Sequence, residues 1–339
     1  MSDNTAIPPL VEARDVSVRF DLGRNGLLSR RRRVLSAVDG VSLSIRRGET
    51  LGLIGESGSG KSTFGRCLLR VYRPSGGQVL FDGTDVGTLD GKALHDFRRR
   101  AQMVFQDPSS ALNPRMSVGT SIAEHLRNQA FGPGEVIRAR VEEVLDIIGL
   151  GRRYGARYPH ELSGGQRQRA VMARAISTSP DFLVADEPVS ALDVSIRAQI
   201  MNLIRDLQAR LGLTLLFISH DLSVVAHVSR RIAVMYLGQI MEVADRETLF
   251  RNPLHPYTHA LLSAAPVPDP EIEKHRRRLL LVGEIPNPTE APPGCRLQTR
   301  CPRVTERCRI EKPPLAEIEP GHVVACYHPG PPEAAGAGR

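Results

Sequence analysis

Tryptophan is absent from this chain of 339 residues, and aromatic side chains make up only 4% of it. That scarcity argues against a nucleic-acid surface built from stacked rings, although a formal net charge of +8 would suit one. No apolar run approaches the roughly 18–20 residues that a membrane span requires. "LTLLFI" at 213–218 has the length of a strand. The opening "MSDNTAIPPLVEARD" lacks both a basic n-region and an apolar h-region, so the sequence predicts a cytosolic protein that meets membranes only through partners. Five cysteines in a reducing compartment are not expected to pair as disulfides. Internal repeats at solenoid periods are also missing.

What is present suits an ordinary core: 41% hydrophobic and 24% charged residues. The Arg runs at 30–33 and 276–278 read as solvated faces, with some attraction to anionic lipid. An alternating strand, "VSVRF" (16–20), precedes a Gly- and Arg-rich insertion and a second alternating strand, "VSLSI". Beyond Thr50 the pattern becomes short apolar strands followed by helical periods. "LGLI", "QMVF", "DFLVA" and "LTLLFI" are the strands. Ile137, Val141, Val144, Leu145 and Ile148 fall on one helical face, as do Ile196, Ile200, Leu203, Ile204, Leu207 and Leu211. Strands alternating with amphipathic helices predict an α/β fold with a mainly parallel sheet covered on both faces. After about residue 265 the chain turns Pro-rich and loses its periodicity.

"GESGSGKS" at 55–62 matches G-x-x-x-x-G-K-[ST] and lies between a strand and a helix, the context that gives the motif meaning. Glycines let backbone N–H groups turn inward around a β-phosphate without Cβ clashes. Gly55, Glu56, Ser57, Gly58, Ser59, Gly60, Lys61, Ser62 and Thr63 are the candidate nucleotide-binding residues. Lys61 supplies a point charge to the β- and γ-phosphates, and the Ser62 hydroxyl is a Mg²⁺ ligand. A Gly-rich helix cap would explain the glycines but not Lys-Ser in register. "FLVADEP" adds an acidic strand end: Asp186 to hold Mg²⁺ and Glu187 to orient or deprotonate the attacking water. Upstream, "LSGGQ" at 162–166 presents a second helix start suited to an anion.

With "LSGGQ" before "ADEP", most of residues 10–265 resembles the nucleotide-binding subunit of an ABC transporter. The resemblance implies a P-loop NTPase of ABC type: a mainly parallel core sheet, an antiparallel β subdomain, and a helical subdomain at about 107–178, all within 1–265. It makes Gln106 in "VFQDP" the Q-loop glutamine and a further Mg²⁺ contact. It makes Asp193 of "SALD" the D-loop aspartate and His220 of "FISHD" the switch histidine. Ser163, Gly164, Gly165 and Gln166 would complete the ATP site of a second ATPase subunit, so that two ATP molecules are sandwiched head to tail. Phe20 is the candidate aromatic for adenine stacking and could equally be core.

"VFQDPSSALNPRM", "RNPLHPYTHALLSAAPVPDP" and "GCRLQTRCPRVTERC" narrow the likeness to oligopeptide and dipeptide importers, most closely their F-type ATPase. That resemblance implies an enzyme coupling ATP hydrolysis to peptide uptake. Its partners would be a paralogous second ATPase, two transmembrane permease subunits and, indirectly, an extracytoplasmic solute-binding protein, with no nucleic acid. It would sit on the cytoplasmic face of the inner membrane. A Pro-rich linker is expected at 266–294, a Cys-rich extension at 295–328 and a disordered tail at 329–339. Cys295, Cys301, Cys308 and Cys326 are spaced C-x5-C-x6-C-x17-C, which lacks the paired C-x2–4-C steps usual for zinc. Spacing leaves a cluster, zinc or four bare thiols open; the subfamily resemblance favours a 4Fe–4S cluster. Cys67 reads as core. Glutathione or a metal chelate are alternative cargoes. A soluble ABC ATPase acting on ribosomes or DNA, and an ATP-switched redox regulator, are the alternative classes.

Overall fold

The computed structural model describes residues 8–24, 32–190, 192–264 and 281–331. The Arg run at 276–278, much of the linker, most of the terminal tail and Ala191 lie outside the described residues. The strands are β1 (Val11–Arg24), β2 (Arg32–Ile45), β3 (Thr50–Ile54), β4 (Gly76–Phe81), β5 (Thr84–Asp85), β6 (Ala101–Val104), β7 (Phe182–Asp186), β8 (Thr214–Ser219), β9 (Arg231–Tyr236), β10 (Gln239–Asp245), β11 (Ala316–Glu319) and β12 (His322–Val324). The helices are α1 (Lys61–Leu68), α2 (Gly91–Arg100), α3 (Pro108–Ala111), α4 (Val118–Asn128), α5 (Gly134–Ile147), α6 (Gly164–Ile176), α7 (Val194–Leu211), α8 (Leu222–Val228), α9 (Arg246–Arg251), α10 (Pro256–Ala264) and α11 (Glu306–Ile310). The class is α/β, as expected. The chain divides into two units, one of residues 1–12, 44–50 and 80–218, the other of 13–43, 51–79 and 219–339.

In the first unit β6, β7 and β8 lie side by side and parallel, with Met103 opposite Val184 and Val184 opposite Leu216. Every residue of β7 is buried. Strands covered on both faces read as continuous apolar runs, which is why "FLVA" and "LTLLFI" were recognisable. The connection from β7 to β8 is α7, which buries Ile200, Met201, Leu203, Ile204 and Leu207 and ends at Gly212 in the left-handed region. Helix α5 buries the predicted face, Ile137, Val141, Val144 and Leu145. Arg140 reaches from it to the end of α6, donating to the carbonyls of Ser177 (2.8 Å) and Ile176 (3.1 Å). That cation satisfies carbonyls a helix end leaves without intrahelical partners.

In the second unit β3 runs parallel to β9, with Leu53 opposite Ala233. β9 returns as antiparallel β10 through the two residues Leu237 and Gly238, both at positive φ (42° and 81°). That is the geometry of a type I′ hairpin, and it explains the glycine. β12 then adds to β10, with Glu242 opposite Val324, and β11 pairs β12. The Cys-bearing extension thus joins the cassette by strand addition rather than hanging from the linker. A further sheet runs β2-β1-β4. β1 and β2 extend far beyond the expected 16–20 and 41–45, because charged residues on their exposed faces hide an alternation that the buried Val16, Val18, Val38 and Val41 maintain.

Candidate functional site

In the second unit the chain leaves β3 and enters the loop 55–60 before α1. Gly60 caps α1 in the left-handed region (φ 102°), and a Cβ there would lie 2.1 Å from the Ala37 carbonyl. Only glycine fits both the backbone and that approach. The loop is a cradle closed on its own lysine. Lys61 is buried, and its Nζ donates to the carbonyls of Gly55 (2.8 Å) and Glu56 (2.9 Å) and to Ser59 Oγ (3.4 Å). Gly238 N–H donates to the Ser59 carbonyl (2.9 Å), tying the loop to the β9–β10 turn. Ser62 and Thr63 are half-buried on the first turn of α1. The fit for a nucleotide's phosphates is good: a cradle that a side chain would fill, a buried cation and a helix start.

His220 is exposed just past Ser219, and Asp221 after it caps α8 by accepting from Ser223 N–H (3.0 Å). Phe20 sits half-buried on β1, edge-on to Tyr72 with ring centroids 5.3 Å apart.

The first unit holds the acidic half of the expected set. β7 ends at Asp186, 1% exposed, and Glu187 follows with φ 46°, a conformation non-glycine residues adopt at a cost. Glu187 N–H donates to the Ile218 carbonyl (3.0 Å) and its own carbonyl accepts from Ser190 Oγ (3.1 Å), so both sides of the peptide are held. Because Val104 of β6 pairs Ala185 of β7, the residues two further along, Gln106 and Glu187, emerge together at the sheet edge. Gln106 Nε2 donates to Glu187 Oε2 at 2.8 Å. Neither motif alone predicts that contact. Within this unit, the Asp186 carboxylate and the Gln106 amide oxygen are donors of the hard-oxygen kind Mg²⁺ prefers.

Ser163 caps α6 in a reciprocal box. Its Oγ accepts from Gln166 N–H (3.3 Å), while Gln166 Oε1 accepts from Ser163 N–H (3.0 Å). A Cβ on Gly165 would lie 2.6 Å from Ile196, so helix α7 demands a glycine there. Gly164 is half-buried beside it, and Asp193 begins α7 with an exposed side chain.

The extension brings its four cysteines into one neighbourhood. Cys295 N–H donates to the Cys308 carbonyl (2.8 Å). Cys301 Sγ accepts from Arg303 N–H (3.4 Å) and Cys326 Sγ from His328 N–H (3.3 Å). Burial pushes the Cys295 thiol up to about 12 and Cys326 up to about 11, with the other thiols adding to the rise. Yet among the described residues no three His, Cys, Asp or Glu side chains form a metal-ligand group. The donors are chemically right for iron or zinc, but as they stand they do not converge. The 4Fe–4S expectation therefore gains no support from the geometry. Cys67 is core, as expected, with its thiol raised by burial to about 12. Arg300 and Tyr257, which hold Glu56 of the phosphate loop, and Arg296, which ties the extension to Asp39, carry no signal in the sequence.

A phosphate loop, an acidic strand end and a capped signature helix in one α/β chain define an ATP-binding cassette. Two family models match: "ABC transporter" over residues 38–190 and "Oligopeptide/dipeptide transporter, C-terminal region" over 241–308. The putative oligopeptide transport ATP-binding protein YkfD of Bacillus subtilis is 51% identical, covering 94% of this chain and 95% of its own. The oligopeptide transport ATP-binding protein AppF of the same organism is 48% identical, covering 94% and 97%. A dimeric cassette, MJ0796, in a post-hydrolysis state with ADP and Pi, superposes with TM-score 0.61 at 30% identity, over 70% of this chain and 98% of its own. The chain belongs to the ABC transporter family, in its branch of oligopeptide/dipeptide ATP-binding subunits. It is an ATPase of that family, and among the described residues no helix is long and apolar enough to cross a membrane.

Proposed function

We propose that this subunit hydrolyses ATP to drive peptide import at the cytoplasmic face of the inner membrane, beneath two permease subunits served by a solute-binding protein. One observation carries the reading: the cassette matched over 38–190 is followed in the same chain by a region of oligopeptide/dipeptide type over 241–308. Lys61 and the loop N–H groups hold the phosphates. Ser62, Asp186 and Gln106 would hold Mg²⁺, which neutralises phosphate charge when bound. Glu187 takes the proton of the attacking water, oriented by Gln106, and His220 contacts the γ-phosphate. Ser163 to Gln166, with Asp193, serve the nucleotide of a paralogous ATPase partner. Phe20 offers its ring to adenine. In the extension, Cys295, Cys301, Cys308 and Cys326 would be the ligands of a 4Fe–4S cluster, a reading that rests on their donor chemistry and not on their present geometry.

The test is uptake. The chain would be assembled with its partner ATPase and permeases in liposomes and given di- to pentapeptides with their binding protein. ATP-dependent peptide accumulation, lost with Lys61→Ala, supports the reading; accumulation of glutathione or a metal chelate instead would redirect it. Iron and sulfide in equal amounts after anaerobic purification support the cluster, while zinc alone or neither metal would end that part.

A further inference from the structure

We propose that Arg300, from the Cys-bearing extension, is a positioning residue for the phosphate loop and so sets the subunit's affinity for ATP. The inference rests on the reading of 55–62 as the ATP site.

Arg300 immediately precedes Cys301. Its Nη1 donates to both carboxylate oxygens of Glu56, the second residue of the loop, at 3.2 and 3.1 Å. The same nitrogen lies 3.4 Å from the Tyr236 hydroxyl, and the guanidinium sits 5.9 Å from the Tyr236 ring centroid. The Arg300 side chain is only 11% exposed and that of Glu56 26%, so solvent screens the pair little. Burial disfavours the guanidinium's charge, but the bonds to Tyr236 and Glu56 outweigh it and hold its pKa above the ordinary value.

Glu56 is held within the loop, where its carbonyl accepts from Lys61 Nζ (2.9 Å) and Ser59 N–H (3.2 Å), and from outside it at two points. Its N–H donates to the hydroxyl of the fully buried Tyr257 (2.9 Å), and its carboxylate belongs to Arg300. Elsewhere the loop's flank is poorly filled: a cavity of about 220 Å³ separates residues 56–59 from 285–288. With little packing on that side, the ion pair is a principal restraint on the loop's outer backbone. A cradle of N–H groups binds phosphate in proportion to how well those groups are held in place beforehand.

The extension does not depend on Arg300 for its own attachment. Arg296 donates to Asp39 (2.7 Å), which also accepts from Gln239 (2.6 Å), and β12 remains hydrogen-bonded to β10. Removing Arg300 therefore leaves the extension docked and loosens only the loop.

The experiment uses the full chain, with Mg-ATP affinity read by competition against a fluorescent ATP analogue, and KM and kcat measured in the assembled transporter. Arg300→Ala is expected to weaken ATP binding and raise KM about tenfold, the size of one charge-assisted pair, with kcat within about twofold. Arg300→Lys, which keeps the charge, should recover part of the loss. Arg296→Ala, which cuts an attachment away from the loop, should bind ATP like the wild type. Affinity within twofold of wild type for Arg300→Ala would overturn the proposal. So would equal weakening by Arg296→Ala, since docking in general would then be the cause. Undiminished binding by Lys61→Ala would instead show that 55–62 is not the ATP site, and both readings would fall.

Discussion

Glu187→Gln separates binding from chemistry at a single atom. The substitution keeps the side chain's volume and leaves an oxygen able to accept from Gln106 Nε2, the bond that measures 2.8 Å in the native protein. The backbone bonds of residue 187 to Ile218 and from Ser190 are untouched, and its φ of 46° is already imposed by them. Ground-state geometry should therefore persist, and ATP affinity should stay within about twofold. What vanishes is the ability to accept a proton. A positioned general base contributes on the order of 10²–10⁴ to rate, or about 3–5 kcal/mol of barrier. Phosphate release by the assembled transporter should fall by about a thousandfold while the isolated chain still binds nucleotide. Glu187→Gly gives a second view: it deletes the base, relieves the positive φ and should cost less than about 1 kcal/mol of stability. Turnover within tenfold of wild type for Glu187→Gln, with binding intact, would refute Glu187 as the base.

Gly60→Ala should abolish measurable ATP binding, because its Cβ would lie 2.1 Å from the Ala37 carbonyl at a φ of 102°; near-normal binding would show that the cradle tolerates the shift. Glu242→Gln should lower stability by about 2–4 kcal/mol in urea denaturation, since one acceptor becomes a donor facing a donor. The native carboxylate is fully buried and accepts from Leu254 N–H (2.7 Å), His255 N–H (3.0 Å) and His322 Nε2 (2.7 Å), so a loss under 0.5 kcal/mol would contradict that count. Acidification should also destabilise. Burial pushes His255 down to about 4, so the unfolded chain takes up its proton first as pH falls below the ordinary 6.5. The stability this neutral ring contributes is complete above that value and is lost progressively toward pH 4; at pH 5 the loss is about 2 kcal/mol. Urea midpoints at pH 7 and 5 that coincide would disprove it.

Much of the first unit could be read from sequence for a physical reason. A strand covered on both faces must be apolar throughout, and Asp186 at the end of such a run stands out. The Gln106–Glu187 bond could not be read, since it follows from the β6–β7 register and not from either motif. In the second unit the β9–β10 hairpin carries little sequence signal, because its turn has Leu237 at positive φ in place of the usual Asn or Asp. The short, exposed β11 has no apolar signal and exists through its partner β12. Glu56 and Arg300, far apart in the chain, are each ordinary charged residues until the extension docks.

Several of the second unit's buried polar groups form a connected path that leaves the extension and returns to it. His322 of β12 bonds Glu242 on β10 at 2.7 Å, and Glu242 accepts from the backbone of His255. His255 Nδ1 accepts from Tyr257 N–H (3.1 Å), the Tyr257 hydroxyl accepts from Glu56 N–H (2.9 Å), and Glu56 meets Arg300 back in the extension. The His255 ring must be neutral with Nδ1 bare for this path to close, in keeping with its lowered pKa. Burying so many polar groups is costly unless they find partners, and a hydrogen-bonded path of this length tolerates few alternative arrangements. Displacing β12 would strand Glu242 and unsettle the start of α10, whose Tyr257 holds the loop from behind, while Arg300 holds it in front. The ATP loop is therefore held by Tyr257 of α10, which the buried path connects to β12, and separately by Arg300 of the extension.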